Sequence, residues 1–179
     1  RQRRTNMSKT IIGYTSGVYD LFHIGHLNLL KNAKGLCDKL IVGVSVDDLV
    51  AYKHKRSVIP FEERLEIVRS IKYVDAAIPQ EDLDKFKMWE KLHFDVLFVG
   101  DDWFKNERWN EMQKKFEEVG VRIVYFPYTK GTSSTILNAT LGSIGQFKNG
   151  ESYANYGGYK IERYNHVMGE KELVVIGGK

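Results

Sequence analysis

The sequence predicts an α/β fold: a Rossmann-like, five-stranded parallel sheet flanked by helices, with a C-terminal appendage. Three observations carry this. Short apolar runs alternate with helical patterns five times, the signature of a parallel sheet with crossover helices. The runs LIVGVSV (Leu40 to Val46) and DVLFVG (Asp95 to Gly100) are nearly continuous in apolar residues, as strands covered on both faces must be. The 179 residues, 42% hydrophobic and 28% charged, suffice for a domain whose core needs no disulfide framework, and Cys37 is the single cysteine.

Ile11 to Tyr14 predicts the first strand. Ile24 to Leu36 follows with apolar residues at Ile24, Leu27, Leu30 and Ala33/Leu36, near the 3.6-residue period of a helix. Leu40 to Val46 is the second strand. Pro60 opens the next helix, where its fixed φ suits the first turn, and Leu65, Ile67, Val68 and Ile71 form its inner side. Val74 to Ile78 is a strand stopped by Pro79, and Asp82 to Leu92 a helix. Asp95 to Gly100 is a strand, and Asn106 to Val119 a helix closed by Gly120. Val121 to Phe126 is the fifth strand, and Ser133 to Leu141 a last helix headed by capping hydroxyls. Residues 142–179 break the pattern: glycines and tyrosines are interspersed, and Glu172 to Ile176 alone reads as a strand. The chain thus divides into a leader (1–6), a body (7–141) and an extension (142–179) suited to packing over the domain edge or to subunit contact.

The formal charge is +4 and the pI about 9.0, which invites a nucleic-acid partner. Arg1, Arg3 and Arg4 remove that motive. They precede Met7-Ser8-Lys9, which reads as a natural start after an added or disordered arm. Without those three, 24 basic residues face 23 acidic ones. No apolar stretch approaches the roughly 18 residues a membrane span needs, and the leader lacks a signal-peptide core. The expectation is a cytoplasmic protein with no nucleic-acid or membrane partner.

In a parallel sheet, ligands bind outside the C-terminal strand ends, so the residues after each strand decide function. The first strand runs into Thr15-Ser16-Gly17-Val18-Tyr19-Asp20-Leu21-Phe22-His23-Ile24-Gly25-His26. Two histidines three apart share a helix face. The helix N-terminus offers backbone N–H groups and a positive dipole end to a phosphate. Gly25 would let a nucleotide approach the backbone, and Gly17 would support the turn out of the strand. Two structural histidines at a helix cap are the competing reading. Lys53, Lys55 and Arg56 follow the second strand, Gly100-Asp101-Asp102-Trp103 ends the fourth, and Thr129-Lys130-Gly131-Thr132-Ser133-Ser134-Thr135 follows the fifth. A glycine and hydroxyls at a helix N-terminus make a second anion site.

These segments, in this order over about residues 10 to 140, resemble the H-x-G-H nucleotidyltransferases, and among them the glycerol-3-phosphate type of cytidylyltransferase. The resemblance implies a nucleotidyltransferase fold and transfer of a cytidylyl group from CTP to a small phosphate monoester, with pyrophosphate released. It makes His23, His26, Lys53 and Lys55 catalytic. It assigns Gly17, Val18, Tyr19, Gly25, Asp101, Thr129, Lys130, Ser133, Ser134 and Thr135 to the nucleotide. Lys53, Arg64, Lys72 and Trp103 go to the acceptor phosphate; Lys72 stands where the family often has arginine. Mg²⁺ is expected on the nucleotide phosphates with no protein metal site, and a homodimer is expected. The last motif departs from the family's R-T-E-G-I-S-T-T. Tyr128, Lys130 and Thr132 replace the arginine, glutamate and isoleucine. Lys130 would then supply the charge that Tyr128 lacks. Adenylyl transfer, a phosphocholine or phosphoethanolamine acceptor held by Trp103, Tyr128 and Tyr19, and a decayed nucleotide-binding protein are the other readings.

Overall fold

The computed structural model describes residues 8–52, 57–100, 107–127, 129–138, 154–156, 159–165 and 171–178. Five strands are separated by helices, as expected, with two helices between the second and third: β1 (Ile12–Gly17), α1 (Ile24–Lys34), β2 (Lys39–Ser45), α2 (Asp47–Tyr52), α3 (Phe61–Arg69), β3 (Ala76–Gln80), α4 (Lys85–Leu92), β4 (Val96–Gly100), α5 (Glu107–Glu118) and β5 (Arg122–Phe126). Residues 134–138 are again helical. β6 (Ala154–Tyr156), β7 (Tyr159–Asn165) and β8 (Lys171–Gly178) follow. The chain divides into two units, residues 1–134 and 135–179.

In the first unit five parallel strands are ordered β3-β2-β1-β4-β5. β1 is central, paired to β2 on one side and β4 on the other. The connection reverses direction there, which opens a crevice at the C-terminal strand ends. One sheet face is covered by α1 and α3: Leu30, Ala33, Leu65 and Val68 pack on Leu40, Val42, Val44 and Phe98. The other is covered by α4 and α5: Met88, Trp109 and Phe116 pack on Tyr14, Leu97 and Val99. Apolar side chains thus leave both faces of the central strands, which explains their continuous apolar runs. Three aspartates fix the N-terminal strand ends. Asp38, Asp75 and Asp95 accept the backbone N–H groups of Ile11, Leu40 and Ile12 at 2.7, 2.7 and 3.0 Å.

The structure corrects several boundaries. β3 runs through Pro79 to Gln80. It pairs with β2 alone, and an edge strand has no ladder bond that the missing proline N–H would break. α4 begins at Lys85 because the Asp84 carboxylate caps it, accepting from the Phe86 N–H at 2.9 Å. α5 ends as expected, with Gly120 at φ +76°. α2 was not anticipated; six residues are too few to display a helical period. The second unit holds a three-stranded antiparallel sheet, β6-β7-β8, where the sequence suggested a single strand.

Candidate active site

The turn from β1 into α1 is built on unusual backbone. Tyr19 and Leu21 both take left-handed conformations, with φ of 56° and 49°. Such positions cost free energy in non-glycine residues and persist where surrounding bonds dictate them. Those bonds are present. The Asp20 carboxylate accepts the N–H groups of Val58 and Ile59 at 2.8 and 3.0 Å. The Asp20 carbonyl accepts the Ser134 hydroxyl at 2.8 Å. The Val18 carbonyl accepts Arg64 Nη1 at 2.7 Å. Gly17 was expected to relieve this turn, but the left-handed residues are Tyr19 and Leu21. A Cβ on Gly17 would instead press on the Tyr19 ring at 3.2 Å.

His23 caps α1 and His26 stands one turn into it. His23 Nδ1 accepts the Gly25 N–H at 3.0 Å, and His26 Nδ1 accepts the His23 N–H at 3.2 Å. Each Nδ1 is therefore an acceptor, so each proton sits on Nε2. The two rings stack with centroids 3.9 Å apart. Tyr19 meets His26 edge-on at 5.3 Å and Phe22 lies 5.4 Å away. Burial in this aromatic setting lowers the His26 pKa to about 4, with His23 adding to the shift and Asp20 opposing it. Burial lowers His23 as well. Both imidazoles are neutral near pH 7, and both offer an Nε2–H donor.

This revises the simple helix-terminus cradle. The His23 and Gly25 amides bond to the imidazoles, so these two amides do not face a ligand. The rings extend the helix terminus outward, each receiving a backbone N–H and presenting its own. Gly25 is likewise explained by the ring beside it. A Cβ there would lie 2.8 Å from His23 Cε1 and 3.0 Å from Nδ1. Thr129 arrives at the same place from the end of β5. Its Oγ1 accepts Asn28 Nδ2 at 3.2 Å, and its Cβ is 3.6 Å from where a Gly25 Cβ would stand.

Arg64 is corrected. Neither a surface residue nor a phosphate ligand, its guanidinium has no solvent exposure. Nε donates to the Ile59 carbonyl at 2.8 Å, Nη1 to Val18 and Ser45 carbonyls at 2.7 and 2.8 Å, and Nη2 to Asp47 Oδ1 at 2.6 Å. It joins the β1 turn, the end of β2, the start of α2 and the segment entering α3. Lys72 is also not brought to the site within one chain. It is exposed in the turn after α3, at the N-terminal side of the sheet, with its ammonium 5.1 Å from the Tyr73 ring centroid. Lys130 is exposed in the loop after β5, next to Gly131 at φ +96°. Ser133 and Ser134 close the first unit, and Thr135 opens the second. Lys53, Lys55, Arg56, Asp101, Asp102, Trp103 and Tyr128 lie outside the described residues.

Asp20, Asp47 and Asn28 are organising residues that sequence reasoning did not single out. Asp20 stood inside the quoted motif, and that was its one signal. Among the described residues no group of three or more His, Cys, Asp or Glu side chains could hold a metal ion. No helix among them is long and apolar enough to cross a membrane.

The chain is similar to several known proteins. Glycerol-3-phosphate cytidylyltransferase of Staphylococcus aureus is 36% identical over 134 residues, which cover 74% of this chain and 95% of that one. FAD synthase of Archaeoglobus fulgidus is 39% identical over 102 residues, 56% of this chain and 74% of that one. The crystal structure of a lipopolysaccharide core biosynthesis protein from Thermoplasma volcanium superposes with a TM-score of 0.59 at 28% identity, covering 69% of this chain and all of that one. The Cytidylyltransferase-like family model matches residues 14–161, and so runs past the residues on which the resemblance was read. With the β1 turn, both histidines, Arg64 and Thr129 all inside that match, the chain is a member of the cytidylyltransferase-like family of nucleotidyltransferases.

Proposed function

We propose that the protein transfers a cytidylyl group from CTP to a small phosphate monoester, with glycerol 3-phosphate as the first candidate. One observation carries the reading: two neutral imidazoles at a helix N-terminus, each with Nε2–H directed away from the backbone amide that holds it. An acceptor phosphate oxygen attacks the α-phosphorus of CTP. The bond from that phosphorus to the bridging β-oxygen breaks, and pyrophosphate leaves with the electron pair. No protein nucleophile is required, so the chain's contribution is alignment and stabilisation of developing charge. His23 and His26 donate to the α- and β-phosphate oxygens, and their fixed tautomer means no proton moves before they do so. Thr129, Ser133 and Ser134 extend the triphosphate site, with Lys53, Lys55 and Lys130 as its cations.

The same reading takes Mg²⁺ to arrive with the nucleotide. Mg²⁺ on the β and γ oxygens would shield their charge. A homodimer belongs to the same reading.

FAD synthase relatives at 32–39% identity favour a second reading, adenylyl transfer from ATP. One assay separates the two: pyrophosphate release from CTP or ATP with a panel of phosphate monoesters. Turnover with CTP and glycerol 3-phosphate at least tenfold above any ATP pair is the expected result. Turnover with ATP alone would replace the first reading by the second, and none with either would end both.

A further inference from the structure

We propose that Asn28 is a positioning residue for the nucleotide: it orients the Thr129 hydroxyl so that the hydroxyl hydrogen is donated to a triphosphate oxygen beside His23. The inference rests on the nucleotidyl-transfer reading above and extends it to how one donor of that site is aimed. Asn28 lies in α1, three residues after Gly25, and residues three apart share a helix face. Gly25 leaves that face bare, and Thr129 closes over it. The Thr129 Cβ is 3.6 Å from where a Gly25 Cβ would stand. One turn further along, Asn28 meets the same threonine, and its Nδ2 donates to Thr129 Oγ1 at 3.2 Å.

The direction of that bond decides what the hydroxyl can do. A hydroxyl carries one hydrogen and two acceptor lone pairs. Thr129 Oγ1 accepts from Asn28 through one lone pair, which leaves its hydrogen to donate elsewhere. The position over Gly25 that is 3.6 Å from Thr129 Cβ is also 2.8 Å from His23 Cε1. Cε1 is bonded to Nε2, the donor nitrogen of that ring. Thr129 and the donor end of His23 therefore flank the same point. The Gly25 N–H holds the imidazole, and the Asn28 side-chain amide holds the hydroxyl. One helix start thus aims both donors.

The loop after β5 is tied at both ends. Thr129 is held by Asn28, and the Ser134 hydroxyl donates to the Asp20 carbonyl at 2.8 Å. Asp20 precedes the histidine pair and Asn28 follows it, so the loop is fastened on either side of the two rings. Between the ties, Lys130 is exposed and Gly131 takes φ +96° with open space where a Cβ would stand. The fixed hydroxyl and the exposed cation then have separate tasks: Thr129 gives a directed hydrogen bond, and Lys130 gives charge. The sequence hid the pair, because an asparagine inside a helix carries no sign of a partner 101 residues away.

The test uses variants of the full chain, with pyrophosphate release measured while CTP and glycerol 3-phosphate are varied separately. Asn28→Leu removes the donor and keeps a good helix former. The expected result is a CTP KM raised about fivefold with the glycerol 3-phosphate KM within about twofold. Asn28→Asp separates orientation from simple attachment. Its carboxylate keeps a bond to Thr129 but takes the hydroxyl hydrogen, so a mere tie predicts constants near wild type. The proposal predicts a CTP KM raised at least as far as by Asn28→Leu. That rise must also exceed the one Asn28→Asp produces in a Thr129→Val chain, which reads the added charge alone. In the Thr129→Val chain Asn28→Leu has no further effect. Constants unchanged by Asn28→Leu, equal rises for both substrates, or the same rise without the Thr129 hydroxyl would overturn the assignment. If the leucine variant does not fold, Asn28→Ala is held to the same outcomes. Calorimetric titration of CTP and of ATP without acceptor tests the pair apart from turnover. If the wild type binds ATP alone, the choice of nucleotide changes and weaker ATP binding by Asn28→Leu supports the pair. Equal binding by wild type and variant sinks the positioning role alone, and binding of neither nucleotide ends both readings.

Discussion

His23 and His26 are stacked at 3.9 Å, and each is held through Nδ1 by a backbone amide of the same helix start. A second positive charge at that separation is disfavoured, and burial disfavours even the first.

The pair should therefore titrate far from ordinary histidine. NMR of the ring protons is expected to place the His26 midpoint near 4, against the usual 6.5. Between those two values the unfolded chain binds a proton that folded His26 refuses. Stability is thus full above pH 6.5 and falls as the pH drops toward 4, by at most about 3 kcal/mol from this residue. A midpoint near 6.5 would contradict the buried, neutral assignment. His26→Ala is expected to lower kcat by about 10² to 10³ with circular dichroism intact.

Gly25→Ala separates folding from function. Alanine is better than glycine inside a helix by about 1 kcal/mol. Its Cβ would nevertheless occupy space 2.8 Å from the His23 ring, and the ring is the part that can yield. The variant should melt at or above the wild-type temperature while turnover falls at least tenfold. Wild-type turnover would show that the His23 position is not critical.

Arg64→Met tests a residue that reaches the site through other chain segments. It strips partners from the carbonyls of Val18, Ser45 and Ile59 and from Asp47. A loss of about 3 kcal/mol in urea unfolding is expected. Arg64→Lys should recover little of it, because one ammonium cannot span acceptors placed around a planar fork. A direct phosphate ligand would instead show a substrate KM defect at nearly wild-type stability.

Lys130→Ala bears on the altered loop after β5. Lys130 is exposed there, two residues after Tyr128, where the family arginine is missing. The CTP KM should rise severalfold with stability unchanged. Unchanged KM and kcat would remove Lys130 from the nucleotide site.

The layer architecture was legible because the five strands are buried on both faces, and such strands announce themselves as apolar runs. The H-x-G-H start was legible for a different reason: local backbone geometry sets it, and spacing records that directly. Pro79 misled because proline forbids a central strand but not an edge, and edge status is a property of the whole sheet. Arg64 misled because a single arginine among glutamates is usually surface. Its burial depends on four segments separated by up to 46 residues, and no local pattern encodes that meeting.

The bond from Ser134 to the Asp20 carbonyl spans 114 residues. During synthesis from the N-terminus, β1 leaves the ribosome with its first neighbour β2, yet its second neighbour β4 comes some 80 residues later. At the residue rates of translation, about 5–20 per second, the nascent chain passes several seconds without the clamp that Ser134 supplies. In that interval the unfavourable backbone at Tyr19 and Leu21 has the bonds from Val58, Ile59 and Arg64 but not the one from Ser134. The sheet can start forming well before the active-site turn is secured, so a chain stalled ahead of Ser134 would resemble the enzyme in outline while lacking its working geometry.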